Sequence, residues 1–136
     1  MAWDGYIDNL MGQDMDDAVI VGCQPGQEYV WASNKTGKLK DVTAEEVQVL
    51  QGHDRDSLFA KGLTLAGCKC TMVRDGIKDD FVPYVDLRTK GTDNSAICVA
   101  KTNQAVIILK GKKETHAGVV NDKVLRMADY LRKANY

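Results

Sequence analysis

Residues 95–112 constrain the fold of this chain more than any other stretch, because two apolar runs there flank a short polar loop. The second run, residues 105–109, is continuously apolar and rich in β-branched side chains. It is too short to span a membrane as a helix and is typical of a strand covered on both faces. The stretch therefore predicts a β-hairpin in the middle of the core, with other elements covering both faces of its sheet.

Length and charge bound the size of the protein and exclude one class of partner. The chain has 136 residues, enough to bury a core without disulfides or metals, and we interpret residues 1–136 as one domain. Its 18 basic and 19 acidic residues nearly cancel, so no bulk positive field would draw it to nucleic acid. No apolar run reaches the length of a membrane span, and Asp4 and Asp8 interrupt the region where a signal peptide would be apolar. We therefore expect a cytosolic protein.

The cysteines fit a reducing compartment. They lie in or beside strand-like segments, where we expect reduced, core-filling side chains; they are Cys23, Cys68, Cys70 and Cys98. The two histidines, His53 and His116, are distant from them in sequence, and the ligand spacings of zinc sites are absent. We therefore expect no metal site.

Local signals predict further elements around the hairpin. The predicted helices span residues 3–11, 43–51, 55–61 and 121–135, and the further strands lie within residues 18–23, 29–33, 63–74 and 82–90, with a polar turn at 75–80. Pro25 and Gly26 suit a tight turn, Thr43 and Glu46 have the spacing of a capping box, and Asn121 is the expected N-cap of the last helix. This order predicts an α+β fold with a central antiparallel meander sheet of five to seven strands. The N- and C-terminal helices would pack on one face and the short helices on the other.

Fragments along nearly the whole chain resemble the profilin family of the animal type. They are WDGYIDNL at the start, VWAS at 30–33, TAEEV at 43–47, GLTLAGCKCTMVRD at 62–75, DLRTK at 86–90, HAG and the following Asn at 116–121, and MADYLRKANY at the end. The resemblance implies a monomeric, cytosolic binding protein with no catalytic site and no cofactor. Its implied partners are monomeric actin, proline-rich segments and phosphoinositide headgroups.

The resemblance also assigns an aromatic groove between the terminal helices. The matching residues are Trp3, Tyr6, Trp31, Tyr130 and Tyr136. A polyproline helix offers apolar ring faces and unpaired carbonyls, and aromatic walls with indole or phenol donors meet both. The alternative interpretation is that these aromatic side chains belong to the core.

The implied actin-binding residues alternate between apolar and cationic types. They are Phe59, Lys69, Arg74, Arg88, Lys90, His116, Gly118 and Asn121. Such a set suits an acidic, partly apolar partner surface. Phosphoinositides would meet the cations Lys69, Arg74, Arg88 and Lys90.

Four positions on this face depart from the family pattern. Asp122 stands where lysine is usual, Ile97 replaces a polar residue, Arg126 often has an acidic counterpart, and Ala117 replaces a glycine. Four changes on one surface would alter the affinity for actin.

Two other classes of function are compatible with the residues alone. A small-ligand sensory module would have a sizeable internal cavity. An enzyme that uses Cys68 or Cys70 as its nucleophile, with His116 as base, would need an exposed, acidic thiol. Neither alternative explains the aromatic residues at the two ends of the chain.

Overall fold

The computed structural model of the protein describes residues 3–52, 54–78, 82–91 and 94–136. The strands in these ranges are β1 (Met15–Gly22), β2 (Val30–Ser33), β3 (Leu63–Leu65), β4 (Cys68–Gly76), β5 (Tyr84–Thr89), β6 (Ala96–Lys101) and β7 (Ala105–Gly111). The α-helices are α1 (Asp4–Leu10), α2 (Ala44–Leu50), α3 (Arg55–Lys61) and α4 (Ala117–Lys133), with a 3-10 turn at Leu39–Asp41.

The seven described strands form one antiparallel sheet in the order β2-β1-β7-β6-β5-β4-β3. Strands β3 to β7 pair with their neighbours in sequence as a meander. The hairpin of β1 and β2 then adds to the far edge of β7. The predicted α+β fold with an antiparallel meander sheet is confirmed.

Strand β7 lies inside the sheet between β1 and β6, and its two faces pack in two different cores. Ile107 and Leu109 pack beneath α1 and α4, whereas Val106 and Ile108 face the core formed with α2 and α3. All four side chains are at most 1% exposed. Burying each of them stabilises the fold by about 1.5–3 kcal/mol, so this hairpin holds both layers, as the sequence predicts.

Two local predictions agree closely with the structure. Helix α3 has the predicted bounds. Helix α2 begins with the predicted capping box, in which the Glu46 backbone N–H donates to Thr43 Oγ1 (3.2 Å) and the Thr43 N–H donates to Glu46 Oε1 (3.0 Å). The Glu46 carboxylate also accepts from the N–H groups of Ala66 and Gly67, in the turn between β3 and β4. One carboxylate therefore joins the short-helix layer to the sheet.

The predicted start of the last helix was wrong. Helix α4 begins at Ala117, and its N-cap is His116, whose Nδ1 accepts from the Gly118 N–H at 2.9 Å. The Asn121 side chain caps nothing and instead donates to Asp86 Oδ1 at 2.9 Å on β5. A tertiary partner therefore outweighed the capping preference of asparagine.

Two strands are longer than predicted. Strand β1 begins at Met15, and β4 continues through Gly76, past the predicted start of a turn at Asp75. Asp75 is paired with Val85 on β5, and its carboxylate accepts a bidentate ion pair from Arg55 at 2.7 and 2.8 Å. The Arg55 guanidinium holds the pKa of Asp75 below its ordinary value, against the opposing effect of partial burial. Residues 79 and 80 of the predicted turn lie outside the described residues.

The cysteines are free, but one of them is not a core residue. Cys23, Cys70 and Cys98 are buried, as predicted, whereas Cys68 is exposed at the start of β4 because it follows the turn directly. Within the described ranges, no three Cys, His, Asp or Glu side chains are grouped to hold a metal ion. His53 lies outside those ranges.

Candidate binding surfaces

The five aromatic residues that the sequence singles out lie in one cluster. Trp3 is at its centre, with ring centroids 4.9 Å from Trp31, 5.3 Å from Tyr6 and 5.3 Å from Tyr136. Tyr130 extends the cluster from α4, with its ring 6.3 Å from that of Tyr6. Four of the rings pack partly against the core beneath α1 and α4, and Tyr130 is 58% exposed. The rings therefore form a surface of the protein as well as a lid on its core.

Each ring of the aromatic cluster is positioned by its own element. Trp3 and Tyr6 belong to the first turns of α1, Trp31 to β2, and Tyr130 to the last turns of α4. Gly22 on the neighbouring strand allows Trp31 to approach, because a Cβ there would lie 3.0 Å from the indole Nε1 and would collide with the Gln27 carbonyl. The cluster thus depends on the sheet as well as on the terminal helices.

The last residue of the sequence is fastened to the loop between β6 and β7. The Tyr136 carbonyl oxygen accepts from Thr102 Oγ1 at 2.8 Å and from the Gln104 N–H at 2.6 Å. Its ring meets the edge of Trp3 at an interplanar angle of 89°. The hairpin that anchors the core therefore also fixes one wall of the aromatic cluster.

The hydroxyl group of Tyr6 remains protonated at neutral pH. Partial burial and the neighbouring Tyr130 raise the pKa of Tyr6 above its ordinary value near 10. The phenol therefore stays a hydrogen-bond donor. Flat apolar rings with donors at their edges suit a ligand that offers carbonyl oxygens and apolar ring faces.

The second set of predicted residues lies on another part of the molecule. Five of its eight members line a pocket of about 250 Å³ between the ends of β4 and β5 and the start of α4; they are Arg74, Arg88, His116, Gly118 and Asn121. The guanidinium of Arg88 is fixed by a hydrogen bond to the Asn94 carbonyl at 2.9 Å. The pocket is therefore cationic at one edge and is closed by the helix on the other.

The remaining three members lie beside this pocket, towards the end of α3. The Lys90 N–H donates to the Lys69 carbonyl at 3.0 Å, so the two lysines are adjacent across neighbouring strands. The Lys90 side chain extends over Gly62, three residues beyond Phe59, whose ring is 47% exposed on α3. The structure thus gathers five of the eight residues in one pocket and places the two lysines side by side, with the Phe59 ring exposed on the neighbouring helix.

Sequence reasoning missed two residues of this face. Val73 is 57% exposed on the opposite side of β4 from buried Met72, beside a β-bulge at which the pairing with β5 shifts between Met72 and Arg74. Asp86 introduces a carboxylate into the pocket and holds Asn121. Nothing in the sequence marks the bulge, whereas the alternation of β5 indicates that Asp86 and Arg88 share a face.

Three of the four departures from the family pattern have a structural context. Ile97 is only 2% exposed and packs in the core with α2 and α3, and it also lines the pocket described above. Asp122 and Arg126 pair with each other at 3.1 Å, one helical turn apart. Their charges therefore largely offset each other. The charge of this surface consequently changes less than four independent substitutions would change it.

The buried thiols do not have the character of catalytic nucleophiles. Burial, reinforced by the neighbouring Cys68, raises the pKa of Cys70 to about 12. Burial and the nearby carboxylate of Asp86 raise the pKa of Cys98 as well. A nucleophilic cysteine needs the opposite shift.

Comparisons with known proteins all lead to one protein family. The family model described as Profilin matches residues 1–136. Human Profilin-1 is 40% identical over 138 residues, with 98% of each chain covered. Mouse Profilin IIa, solved in complex with a double repeat from the FH1 domain of mDia1, is 33% identical with a TM-score of 0.94 and full coverage of both chains. LokiProfilin2, solved with rabbit actin, shares the fold at a TM-score of 0.66 and 18% identity, covering 95% of this chain and 94% of that one.

The described ranges contain no helix that is both long enough and apolar enough to cross a membrane.

The sequence, the fold and the arrangement of the aromatic cluster all agree with the family that these comparisons identify. The match of the family model to residues 1–136 decides the assignment. The chain belongs to the profilin family.

Proposed function

We propose that this protein binds monomeric actin and proline-rich segments through two separate surfaces and so regulates actin assembly in the cytosol. The observation that carries the proposal is the cluster of five partly exposed aromatic rings centred on Trp3. A core cluster would bury these rings, but Tyr130 is more than half exposed. Mouse Profilin IIa, which belongs to the same family, forms a complex with a double repeat from the FH1 domain of mDia1, and this complex supports a peptide ligand for the present protein.

Proline-rich segments suit the aromatic cluster for two physical reasons. They hold the polyproline II conformation before binding, so little conformational entropy is lost. Their carbonyl groups are unpaired and can accept from indole and phenol donors, while their rings stack on the aromatic faces. The five cluster residues Trp3, Tyr6, Trp31, Tyr130 and Tyr136 are the proposed contacts.

Actin is the proposed partner of the second surface. Exposed cations beside an exposed phenyl ring and a small pocket complement an acidic, partly apolar protein face. The LokiProfilin2 complex with rabbit actin is an example from a protein of the same fold. The proposed contacts are the eight residues Phe59, Lys69, Arg74, Arg88, Lys90, His116, Gly118 and Asn121.

The two surfaces are far enough apart to be occupied independently. Asn121 and Tyr130 both lie on α4, and nine residues of α-helix separate them by about 14 Å. A ligand at one end of the helix therefore leaves the other end accessible. This separation allows one molecule to present actin to a protein that carries a proline-rich segment.

Phosphoinositide headgroups are the proposed third ligand, on the cationic edge of the actin surface. Lys69, Arg74 and Lys90 are exposed, and Arg88 lies between them. Each cation near an anionic leaflet contributes about 1 kcal/mol. Because the residues are shared, lipid and actin should compete. We propose no enzymatic activity and no cofactor, since the buried thiols have raised pKa values.

The test of the proposed function measures the two surfaces separately. A proline decamer should change the tryptophan fluorescence saturably, at micromolar to millimolar concentrations, because both tryptophans lie in the cluster. Trp3→Ala should abolish this response and leave actin binding intact. Tyr130→Ala is the milder variant, since its ring is 58% exposed and contributes little to the core. Folded variants of both kinds that still bind the decamer normally would refute the assignment of the groove.

A further inference from the structure

The pocket between β4, β5 and the start of α4 has one acidic side chain among the described residues that line it. Its arginines, Arg74 and Arg88, suit the acidic partner proposed for this surface. Asp86 on β5 carries the opposite charge and would repel such a partner. A carboxylate at this position therefore has a use other than direct attraction of the partner.

The Asp86 carboxylate is bonded to side chains of its own protein. Asn121 Nδ2 donates to Asp86 Oδ1 at 2.9 Å and to Cys98 Sγ at 3.7 Å. Cys98 is 1% exposed on β6 and is the cross-strand neighbour of Asp86. The Cys98 thiol donates to the same carboxylate, and burial, reinforced by this neighbour, raises the pKa of Cys98. Side chains from β5, β6 and α4 thus form one hydrogen-bonded network at the pocket.

This network determines which end of the Asn121 amide is available to a partner. The nitrogen of a side-chain amide only donates and its oxygen only accepts. Because a carboxylate accepts, Asn121 turns Nδ2 and not Oδ1 towards Asp86. Both contacts of Nδ2 lie within the protein, so the atom left for a partner is Oδ1. Asn121 therefore offers an acceptor, beside the donors of the two arginines.

Without the carboxylate, the orientation of the amide loses its strongest determinant. The terminal torsion of asparagine is broad and roughly two-fold, and sulfur is only a weak acceptor. An Asn121 side chain held by Cys98 alone can therefore rotate and present either end to the pocket. Fixing one orientation when the partner binds then costs free energy that the native network has already supplied.

We propose that Asp86 is a positioning residue of the actin surface: it fixes the Asn121 amide so that Oδ1 accepts a hydrogen bond from an N–H or O–H group of the partner. The inference rests on the proposed binding of actin to this surface. It gives a role to a residue outside the eight proposed contacts and names the chemistry of the partner group that meets Asn121.

Two substitutions of Asp86 separate positioning from charge. Asp86→Ala removes the negative charge and the acceptor together, whereas Asp86→Asn removes the charge but keeps an oxygen that can accept from Asn121. If only the charge mattered, both variants would bind an acidic partner more tightly. We expect Asp86→Ala to bind monomeric actin about fivefold more weakly, the effect of one lost hydrogen bond. Asp86→Asn should bind at least as tightly as the unmodified protein.

A double-mutant cycle shows whether Asp86 acts through Asn121. Asn121→Ala should weaken actin binding by a similar factor, and adding Asp86→Ala should weaken it no further, because the positioned group is already absent. Asp16→Ala is the matched control. It removes an aspartate that pairs with Lys110 at 3.2 Å on β1, outside the residues that line the pocket. Its affinity for actin should stay within twofold of that of the unmodified protein.

The side-chain amide signal of Asn121 in nuclear magnetic resonance gives a readout that does not involve actin. Exchange of its Nδ2 hydrogens with water should accelerate in Asp86→Ala and stay slow in Asp86→Asn. Denaturant unfolding shows whether each variant is folded. If Asp86→Ala is not, Asp86→Val carries the same test, since valine also lacks an acceptor and favours a strand.

The possible results separate this inference from the proposed function. A folded Asp86→Ala protein that binds actin as tightly as the unmodified protein, or more tightly, refutes the positioning role. Losses that add up in the double variant, or an Asn121 signal that is the same in all variants, refute it as well. In these cases the unmodified protein still binds actin and the proposed function stands. If the unmodified protein does not bind actin, the proposed function fails and the inference fails with it.

Discussion

Replacing Thr102 by valine should reveal how the β6–β7 loop supports the aromatic cluster. Thr102 is 1% exposed, and its hydroxyl accepts from the Ala105 N–H at 2.9 Å. The same hydroxyl lies within donating distance of the Tyr136 carbonyl at 2.8 Å. Valine has nearly the same shape but can make neither hydrogen bond, so packing is kept while the polar contacts are lost.

The magnitude follows from the group that is left without a partner. Ala105 is fully buried, and a buried N–H that loses its acceptor costs about 1–3 kcal/mol. We therefore expect the free energy of unfolding to fall by about 2 kcal/mol. Tyr136 also loses one of its two hydrogen bonds to the loop, and fixing a mobile side chain on binding costs about 1 kcal/mol. The affinity for a proline decamer should consequently fall about fivefold.

Denaturant unfolding and a fluorescence titration measure these two effects. Thr71→Val is the matched control, because Thr71 is exposed on β4 and valine is equally favourable in a strand. The control should change neither quantity. If Thr102→Val unfolds like the unmodified protein, the hydroxyl does not satisfy Ala105 in solution. If its stability falls but the decamer binds normally, Tyr136 is not a wall of the site.

Four further variants test the actin surface and the ion pair on β4. Replacing Arg88 and Lys90 together by glutamate should weaken actin binding about tenfold or more with little change in melting temperature; unchanged affinity would exclude this face. Asp122→Lys should tighten actin binding by about 1 kcal/mol, and Asp122→Asn by less, if the partner is acidic there; weaker binding would contradict this. Asp75→Asn should cost about 3 kcal/mol at neutral pH, because Arg55 loses its carboxylate partner and keeps only the carbonyl groups of Leu50 and Gly52. The pKa of Asp75 is lower in the folded protein than in the unfolded chain. The ion pair therefore stabilises the fold fully above the unfolded pKa near 3.9, and this stabilisation disappears as the pH falls through the folded pKa. Acid unfolding curves of Asp75→Asn should lack this pH dependence.

The parts of the fold that local chemistry determines were predictable from the sequence. The apolar run of β7 required cover on both faces, and Thr43 with Glu46 marked a helix start. Both follow from short-range rules that tertiary contacts reinforce. The aromatic cluster was predictable only through the resemblance to a family, since the rings come from four separate parts of the chain.

The parts that depend on contacts between distant residues were not predictable. Asn121 turns to Asp86 instead of capping α4, and the bulge at Val73 appears only once β4 is paired with β5. Ile97 is indistinguishable in sequence from a surface replacement, but it is buried between the core with α2 and α3 and the pocket. The groove between α1 and α4 depends on how two helices lie on the sheet, which no periodicity encodes.

The pairing of β1 with β7 makes the order of synthesis important for this protein. Ala18 faces Leu109 across the middle of the sheet, and contacts between residues about 90 positions apart slow folding. During translation at about 5–20 residues per second, α1 and β1 therefore wait roughly 5–20 seconds for their partner strand. A nascent chain that stalls before residue 105 lacks β7, the strand against which β1 is hydrogen-bonded in the finished sheet. Such an intermediate also lacks α4, which supplies Tyr130 to the aromatic cluster and Asn121 to the pocket, so neither surface is complete before the end of the chain has been made.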